Sequence, residues 1–166
     1  MLRITIVAAG VIALLVAFGG VVLAQAGWPD AIVKKIDELK ILSRDKKDMA
    51  ESMPGIKKIT GEELKAWKDQ SKRFVLLDNR VATDYDKEHI PGALRLAPDD
   101  LMPNPKLADR FSKDDVIVNY CNGVKCWRSS GAMVLLQSLG FKNLYWYRDG
   151  IPDWVKKDYP TVEGKK

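Results

Sequence analysis

One stretch determines most of the fold: Val116-Ile117-Val118-Asn119-Tyr120, then Cys121-Asn122-Gly123-Val124-Lys125-Cys126, then a helical pattern from Trp127 to Leu139. The first five residues are mainly apolar and β-branched, which is typical of a strand buried on both faces of a parallel sheet. The last part repeats apolar residues at helical spacing and stops at Gly140, a residue type favoured after helix ends. A strand, a short loop and a helix in this order are typical of α/β domains.

Similar units flank this stretch on both sides. Thr60 and Glu63 have the spacing of a capping box, which predicts a helix that begins there. Further patterns predict strands over residues 74–77, 94–96 and 143–147, and helical segments over residues 83–87, from residue 98 and over residues 151–156. Strands that alternate with helices in this way predict an α/β domain with a mainly parallel sheet. We place this domain at residues 59–162, with a polar tail over residues 163–166.

The amino terminus carries a targeting or membrane segment. Residues 4–24 form an uninterrupted run of 21 uncharged, mostly apolar residues. As a helix this run would span about 31 Å, enough to cross a hydrocarbon core of about 30 Å. Ala24-Gln25-Ala26 also has the small-x-small form that signal peptidase accepts. We therefore assign residues 1–26 to a transmembrane anchor or signal segment. The domain is expected to be membrane-anchored and exported to the periplasmic side, or periplasmic if the segment is removed.

Residues 27–58 are predicted to form an amphipathic helix and a linker. One face of the predicted helix is apolar and the opposite face is charged. The apolar residues, at helical spacing, are Ile32, Val33, Ile36, Leu39 and Leu42. One interpretation of residues 29–49 is a helix that lies on the domain or on the bilayer surface. The other is a docking helix for a membrane-protein partner. Residues 43–55 are polar and end in Pro54-Gly55, which is typical of a linker.

Composition excludes several classes of protein. Of 166 residues, 46% are hydrophobic and 30% are charged, which excludes wholesale disorder. The net charge is +5, but 27 basic residues are scattered among 22 acidic ones, so no nucleic-acid partner is expected. Two cysteines and one histidine cannot fill a Cys/His zinc site without carboxylates, and no phosphate-binding P-loop motif is present. We expect neither a metal nor another cofactor.

Cys121 is the main candidate for a reacting side chain. It follows the best-defined strand, and ligands of open α/β sheets bind at the carboxyl ends of the strands. It also precedes a helix amino terminus, where N–H groups and the helix dipole create positive potential. Such surroundings lower the pKa of a thiol and favour the nucleophilic thiolate. Lys125 and Arg128 add positive charge if they face the loop, and Gly123 lets the backbone curl. Alternatively, Cys121 is a small buried residue that only ends the strand.

The sequence from about Thr60 to Pro160 resembles the rhodanese-like domain. The matching segments, in chain order, are residues 75–80, 88–93, 121–128, 139–144, Asp149-Gly150 and Trp154. The resemblance implies about five mainly parallel strands flanked by helices, preceded here by the predicted transmembrane helix and amphipathic linker helix. It also implies a sulfurtransferase. The cysteine of such a protein accepts sulfane sulfur from a donor such as thiosulfate, holds it as a persulfide and passes it to a thiol acceptor.

The resemblance also assigns roles to individual residues. Cys121 takes the place of the cysteine that forms the persulfide. The loop that holds the substrate anion is represented by Asn122, Gly123, Val124, Lys125 and Cys126. Asp78 and Arg80 match a strand-end pair that mainly braces the fold, and His89 matches a turn histidine that is usually structural.

The loop departs from the common C-x4-R form of the family. Cys126 stands at the sixth position, and the arginine follows only at Arg128. Three functions are therefore compared: a sulfurtransferase, a thiol-redox protein that cycles Cys121 and Cys126, and a non-catalytic accessory subunit of a membrane complex. In a sulfurtransferase, Cys126 would have one of two roles. It either resolves the persulfide, releasing sulfide and leaving a disulfide, or is only a structural residue at the end of the loop. A phosphatase of the C-x5-R type is not expected, because residue 127 is Trp.

Overall fold

The computed structural model describes residues 27–164. Its helices are α1 (Asp30–Arg44), α2 (Gly61–Asp69), α3 (Ala82–Lys87), α4 (Pro98–Leu101), α5 (Trp127–Ser138) and α6 (Gly150–Lys156), with a 3-10 turn at Pro105–Ala108. Its strands are β1 (Lys57–Lys58), β2 (Val75–Asp78), β3 (Leu94–Arg95), β4 (Val116–Tyr120) and β5 (Asn143–Tyr147). The predicted capping box is formed, because Thr60 accepts from the Glu63 N–H and the Glu63 carboxylate accepts from the Thr60 N–H.

The five strands form one parallel sheet in the order β1-β5-β4-β2-β3. Strand β4 lies in the centre and pairs with β5 on one side and β2 on the other. The prediction of an α/β domain with a five-stranded parallel sheet flanked by helices is confirmed. Because β4 is central, the loop that follows it emerges at the middle of the carboxyl edge of the sheet.

Two apolar cores cover the two faces of the sheet. On one face, Ile117 of β4 packs in a cluster with residues of α1 and α5, including Ile36 and Leu135. On the other face, Val118 and Tyr120 belong to a cluster built by the neighbouring strands and by α2 and α6. Alternate residues of β4 thus enter opposite cores, as the twofold period of a strand requires.

The segment before residue 59 contributes directly to this packing. Strand β1 pairs with β5 at the edge of the sheet, two residues ahead of the predicted start of the domain. Helix α1 buries Ile36 completely and Leu39 almost completely in the core beside α5, whereas Ile41 is largely exposed. Met49, within the predicted linker, is also buried in that core. Residues 30–58 therefore pack as part of the folded unit.

The predicted membrane segment, residues 4–24, lies outside the described residues. Among residues 27–164, no helix combines the length and apolar character required to cross a bilayer.

Candidate active site

The cysteine loop (residues 121–126) connects the central strand β4 to the amino terminus of α5. Cys121 directly follows β4 and is 1% exposed, whereas Cys126 is the residue that caps α5 and is partly exposed. The two side chains are joined by a disulfide, with their Cα atoms 6.2 Å apart. The loop thus curls back on itself strongly enough to bring the first and last residues into bonding contact. In this state Cys121 holds no free thiol, so any nucleophilic chemistry requires prior reduction.

The curl of the loop depends on two glycines. Gly123 has φ +92°, a left-handed conformation that glycine adopts without a side-chain clash. The Cys126 N–H donates to the Gly123 carbonyl oxygen over 3.0 Å and closes the turn. Gly150, with φ +64°, lies under the loop, where an added Cβ would overlap the carbonyl oxygen of Cys121. The next residue, Ile151, donates its N–H to that same oxygen over 3.0 Å.

The backbone N–H groups of residues 122–125 are the unused hydrogen-bond donors of the loop. None of them donates to a backbone carbonyl among the described residues. A run of free N–H groups in a curled loop at the start of a helix binds anions, because the donors and the helix dipole act together. This arrangement can bind an oxyanion and stabilise negative charge on a sulfur at Cys121.

Two predicted binding residues make specific contacts with acidic residues from other elements. The Asn122 side-chain amide donates to the Asp84 carboxylate in α3 over 2.8 Å. Arg128 forms a two-point ion pair with Asp99 of α4, at 2.8 and 3.2 Å. Asp99 therefore balances the charge that Arg128 was expected to add to the loop. Both carboxylates were missed from the sequence, because no local spacing links them to residues 29 and 38 positions away.

The other predicted loop residues face outward or towards the amino-terminal part of the chain. The side chain of Lys125 is exposed, and its carbonyl oxygen accepts from Ser43. The carbonyl oxygen of Val124 accepts from the N–H of Met49. Lys125 thus leaves its ammonium group free to attract an anion from solvent, since it forms no ion pair with another described residue.

Asp78 and Arg80 form a buried ion pair at the end of β2. The Arg80 guanidinium donates to both Asp78 oxygens, and its Nη2 also donates to the Glu88 carbonyl oxygen. The hydroxyl of Tyr120 donates to Asp78 Oδ2 over 2.6 Å and accepts from the Ile90 N–H. Burial, together with the adjacent negative charge of Asp78, raises the pKa of Tyr120 far above its ordinary value. Tyr120 is therefore a permanent hydrogen-bond donor to Asp78.

His89 lies in the turn that follows α3. Its ring stacks on Tyr85 with 3.9 Å between centroids, and Nδ1 is 2.9 Å from the Tyr85 carbonyl oxygen. Its backbone forms an isolated antiparallel bridge with Val162. These contacts hold the carboxyl-terminal end of the chain against the turn.

Two open pockets flank Asn122. One, of about 360 Å³, is lined by Arg80, Asp84, Lys87, Glu88, Asn122, Ile151, Pro152 and Val155. The other, of about 310 Å³, is lined by Asn122, Gly123, Val124, Lys125, Asp149 and Pro152. A small anion and the end of an acceptor molecule therefore have room on either side of the loop. Residues 27–164 contain no cluster of three or more His, Cys, Asp or Glu side chains that could hold a metal ion.

Two asparagines, Asn79 and Asn119, have buried polar atoms without hydrogen-bond partners among the described residues, and the sequence did not predict this. The Asn119 side chain is fully buried in β4 and finds no hydrogen-bond partner among the described residues. The Asn79 amide nitrogen donates to the Leu96 carbonyl oxygen, while its own oxygen has no partner in that part of the chain. In the parallel register Asp78 pairs with Tyr120, so Asn79 lies across from Cys121 at the end of β4.

Comparison with known proteins places this fold in a family. The model of the rhodanese-like domain matches residues 60–157. The chain therefore belongs to the rhodanese-like domain family. Over 105 residues it is 32% identical to the thiosulfate sulfurtransferase GlpE of Coxiella burnetii, an alignment that covers 62% of this chain and 92% of that protein.

Two further relatives define the extent of the similarity. The chain is 32% identical over 105 residues to the probable adenylyltransferase/sulfurtransferase MoeZ of Mycobacterium tuberculosis, covering 63% of this chain but only 26% of that protein. Among solved structures, the rhodanese-like domain of the Anabaena protein Alr3790 superposes with a TM-score of 0.56 at 25% identity. That superposition covers 64% of this chain and 78% of the Anabaena domain.

Proposed function

We propose that this chain is a sulfurtransferase that carries sulfane sulfur as a persulfide on Cys121. Support comes from membership of the family and from similarity to a protein named thiosulfate sulfurtransferase. The observation that carries the proposal is the position of Cys121. It follows the central strand in a loop whose N–H groups at residues 122–125 donate to no backbone carbonyl of the described residues.

The chemistry begins with reduction of the Cys121–Cys126 disulfide by an external dithiol, which supplies two electrons and two protons. The Cys121 thiolate then attacks the sulfane sulfur of a donor such as thiosulfate, and the sulfur–sulfur bond of the donor breaks. Sulfite leaves with the bonding pair, and the Cys121 persulfide retains one negative charge. The free loop N–H groups stabilise this anion. An acceptor thiolate finally attacks the outer sulfur and regenerates the Cys121 thiolate.

The disulfide favours a role for Cys126 in the same cycle. After loading, the Cys126 thiolate can attack the inner sulfur of the Cys121 persulfide. The bond to the outer sulfur then breaks, sulfide leaves, and the Cys121–Cys126 disulfide forms. This reaction would return the loop to its oxidised state without an added oxidant. The thiol-redox alternative is the same cysteine pair exchanging with external thiols rather than with a sulfur donor.

Turnover with matched cysteine variants tests this proposal. Protein reduced beforehand is supplied with thiosulfate and a small thiol acceptor, and sulfite release is followed with time. We expect release from the parent and from Cys126→Ser, and none above background from Cys121→Ser. Equal release from the two single variants would contradict the assignment of Cys121. No release from any variant would favour a non-catalytic accessory module.

The test of Cys126 is separate. Protein loaded with sulfur is freed from excess donor, and sulfide release is compared in the parent and in Cys126→Ser. A resolving cysteine predicts sulfide release and disulfide formation in the parent and much slower release in the variant. Equal rates, without a disulfide in the parent, would mean that Cys126 is structural.

We further propose that residues 4–24 hold the chain at a membrane, with the domain on the exported side. The apolar run and the occurrence of the disulfide support this, because disulfides persist in oxidising compartments. A membrane-protein partner for the exposed side of α1 belongs to the same proposal. Full-length protein should remain in the membrane fraction after a high-salt or carbonate wash, since apolar insertion is insensitive to salt. Release by salt would contradict the anchor.

A further inference from the structure

The amino-terminal extension (residues 29–55) contacts the outer side of the cysteine loop. Ser43, in the last turn of α1, donates its hydroxyl to the carbonyl oxygen of Lys125 over 2.7 Å. The backbone N–H of Met49 donates to the carbonyl oxygen of Val124 over 2.8 Å. Two successive loop carbonyls are thus bound by residues that lie before the family match, which begins at residue 60.

These two contacts fix the orientation of two loop peptides. In a trans peptide the carbonyl and the following N–H point in opposite directions, and the unit is planar. Binding the Val124 carbonyl to the extension therefore turns the Lys125 N–H away from the extension. Binding the Lys125 carbonyl likewise directs the Cys126 N–H inward, where it meets the Gly123 carbonyl oxygen at 3.0 Å. The extension thereby helps to hold the curl and the direction of a free loop N–H.

The extension is itself held rigidly enough to act in this way. Ile36 and Met49 are buried in the core beside α5. Arg148, which follows β5, donates to the Met49 carbonyl oxygen over 2.7 Å and to that of Ala50 over 3.1 Å. The segment that touches the loop is therefore fixed both by apolar packing beside α5 and by two hydrogen bonds from Arg148.

We propose that the amino-terminal extension is a positioning element for the cysteine loop, with Ser43 as a positioning residue. It rests on the proposed role of Cys121 as the reacting thiol. The Ser43 hydroxyl fixes the Lys125–Cys126 peptide, whose N–H closes the turn on the Gly123 carbonyl oxygen. Ser43 thus holds the curl of the loop, and this curl places the free N–H groups that stabilise negative charge on the Cys121 sulfur.

The chain offers matched variants for the test. Ser43→Ala removes the hydroxyl that reaches the loop, and Ser43→Thr keeps a hydroxyl at that position. Gln137→Ala is the control, because the Gln137 side chain donates to the Pro54 carbonyl oxygen over 3.0 Å. It thus fastens the same extension to α5 without touching the loop. All three are made in a Cys126→Ser background, so that Cys121 is the single thiol.

The measurement is the rate at which iodoacetamide alkylates Cys121 as a function of pH, followed by the rate of sulfur loading from thiosulfate. In Ser43→Ala we expect the alkylation midpoint to rise by about 0.5–1 pH unit and loading to slow about three- to tenfold, the range of one net hydrogen bond. Ser43→Thr should restore most of the change, and Gln137→Ala should behave as the background protein.

Each other outcome overturns the proposal. An unchanged profile in Ser43→Ala, an equal shift in Gln137→Ala, or no recovery in Ser43→Thr would show that the hydroxyl does not position the loop. Failure of the sulfurtransferase function is distinguishable, because alkylation does not require sulfur transfer. If no variant loads sulfur but the alkylation profiles differ as expected, the positioning role stands and the proposed function fails.

Discussion

Two polar groups of residues lie at the carboxyl edge of the same sheet and differ in how they use their hydrogen bonds. The strand-end network consists of Asp78, Arg80 and Tyr120, and it satisfies the charges of Asp78 and Arg80 inside the protein. In the cysteine loop, the carbonyl oxygens of Cys121, Gly123, Val124 and Lys125 accept hydrogen bonds. The N–H groups of residues 122–125, in contrast, donate to no backbone carbonyl in the described part of the chain.

This difference separates structural from chemical roles. A buried ion pair spends its hydrogen bonds on internal partners, so removing one member lowers the stability of the fold. A loop with free N–H donors beside a cysteine can bind an anion, so a change to the loop should lower the rate of reaction at the cysteine. The position of a polar residue at a strand end therefore does not by itself indicate a substrate site.

The largest expected effect comes from opening the strand-end network. Asp78→Ala should lower the free energy of unfolding by about 3–5 kcal/mol, because it leaves the Arg80 guanidinium buried without its counter-ion. The side chains of Asp78 and Arg80 are only 0% and 4% exposed. The measurement is chemical denaturation. Asp99→Ala is the control, since that pair is partly exposed and should cost less than about 1 kcal/mol. Similar costs for both would contradict the comparison.

The support beneath the loop gives the next effect. Gly150 and Gly140 both have left-handed backbones, at φ +64° and +89°, but only Gly140 has open space for a Cβ. Gly140→Ala should cost about 1–2 kcal/mol, the price of the left-handed conformation alone. Gly150→Ala should cost more and should also slow sulfur loading, since its Cβ overlaps the Cys121 carbonyl oxygen. Normal loading in Gly150→Ala would show that the loop does not need this support.

Asn119 belongs to neither group, and its replacement should raise the free energy of unfolding, whereas the changes above lower it. Its buried amide has no partner among the described residues, so Asn119→Leu should raise the free energy of unfolding by about 1–2 kcal/mol. Asn143→Leu is the matched control, because that exposed amide donates to the Asp114 carbonyl oxygen and its loss should slightly destabilise the protein. Thermal melts of both variants measure the difference. Destabilisation by Asn119→Leu would mean that the amide is satisfied.

The smallest effect concerns charge at the loop. Lys125→Ala should raise the thiosulfate concentration for half-maximal loading about two- to fivefold, because an exposed attraction is worth at most about 1 kcal/mol. The double variant Asp99→Ala/Arg128→Ala removes an ion pair without changing the net charge and should alter that concentration less than about twofold. The reverse order would show that Arg128, and not Lys125, attracts the anion.

The sequence predicts the regular elements well because their physical signal is local. Strand β4 and helix α5 follow from apolar runs and helical spacing within 23 residues of chain, as does the position of Cys121. Strand β1 could not be predicted, because Lys57 and Lys58 are exposed and owe their strand conformation to pairing with β5. The sequence could not predict what α1 packs against either, since an amphipathic face suits a domain and a bilayer alike.

The candidate site was predictable in part for the same reason. The loop residues are consecutive, so one local motif predicts all of them. The contacts that orient them come from Ser43, Met49, Asp84 and Asp99, which are distant in sequence and carry no spacing signal. The effective charge of Arg128 could be judged only once Asp99 was seen beside it.

The decisive measurement for sulfur transfer by Cys121 is intact mass spectrometry of the reduced protein after treatment with thiosulfate. We expect a gain of about 32 Da, one sulfur atom, located by peptide mapping on Cys121 in Cys126→Ser. The parent should show the same adduct before Cys126 resolves it, and a loss of about 2 Da once the disulfide has formed. Cys121→Ser should remain folded, with the melting temperature of the reduced parent, and should gain no sulfur. A sulfur adduct on Cys126 in Cys121→Ser, at the level that Cys126→Ser carries on Cys121, would contradict the assignment of the cysteine loop as a site built around Cys121.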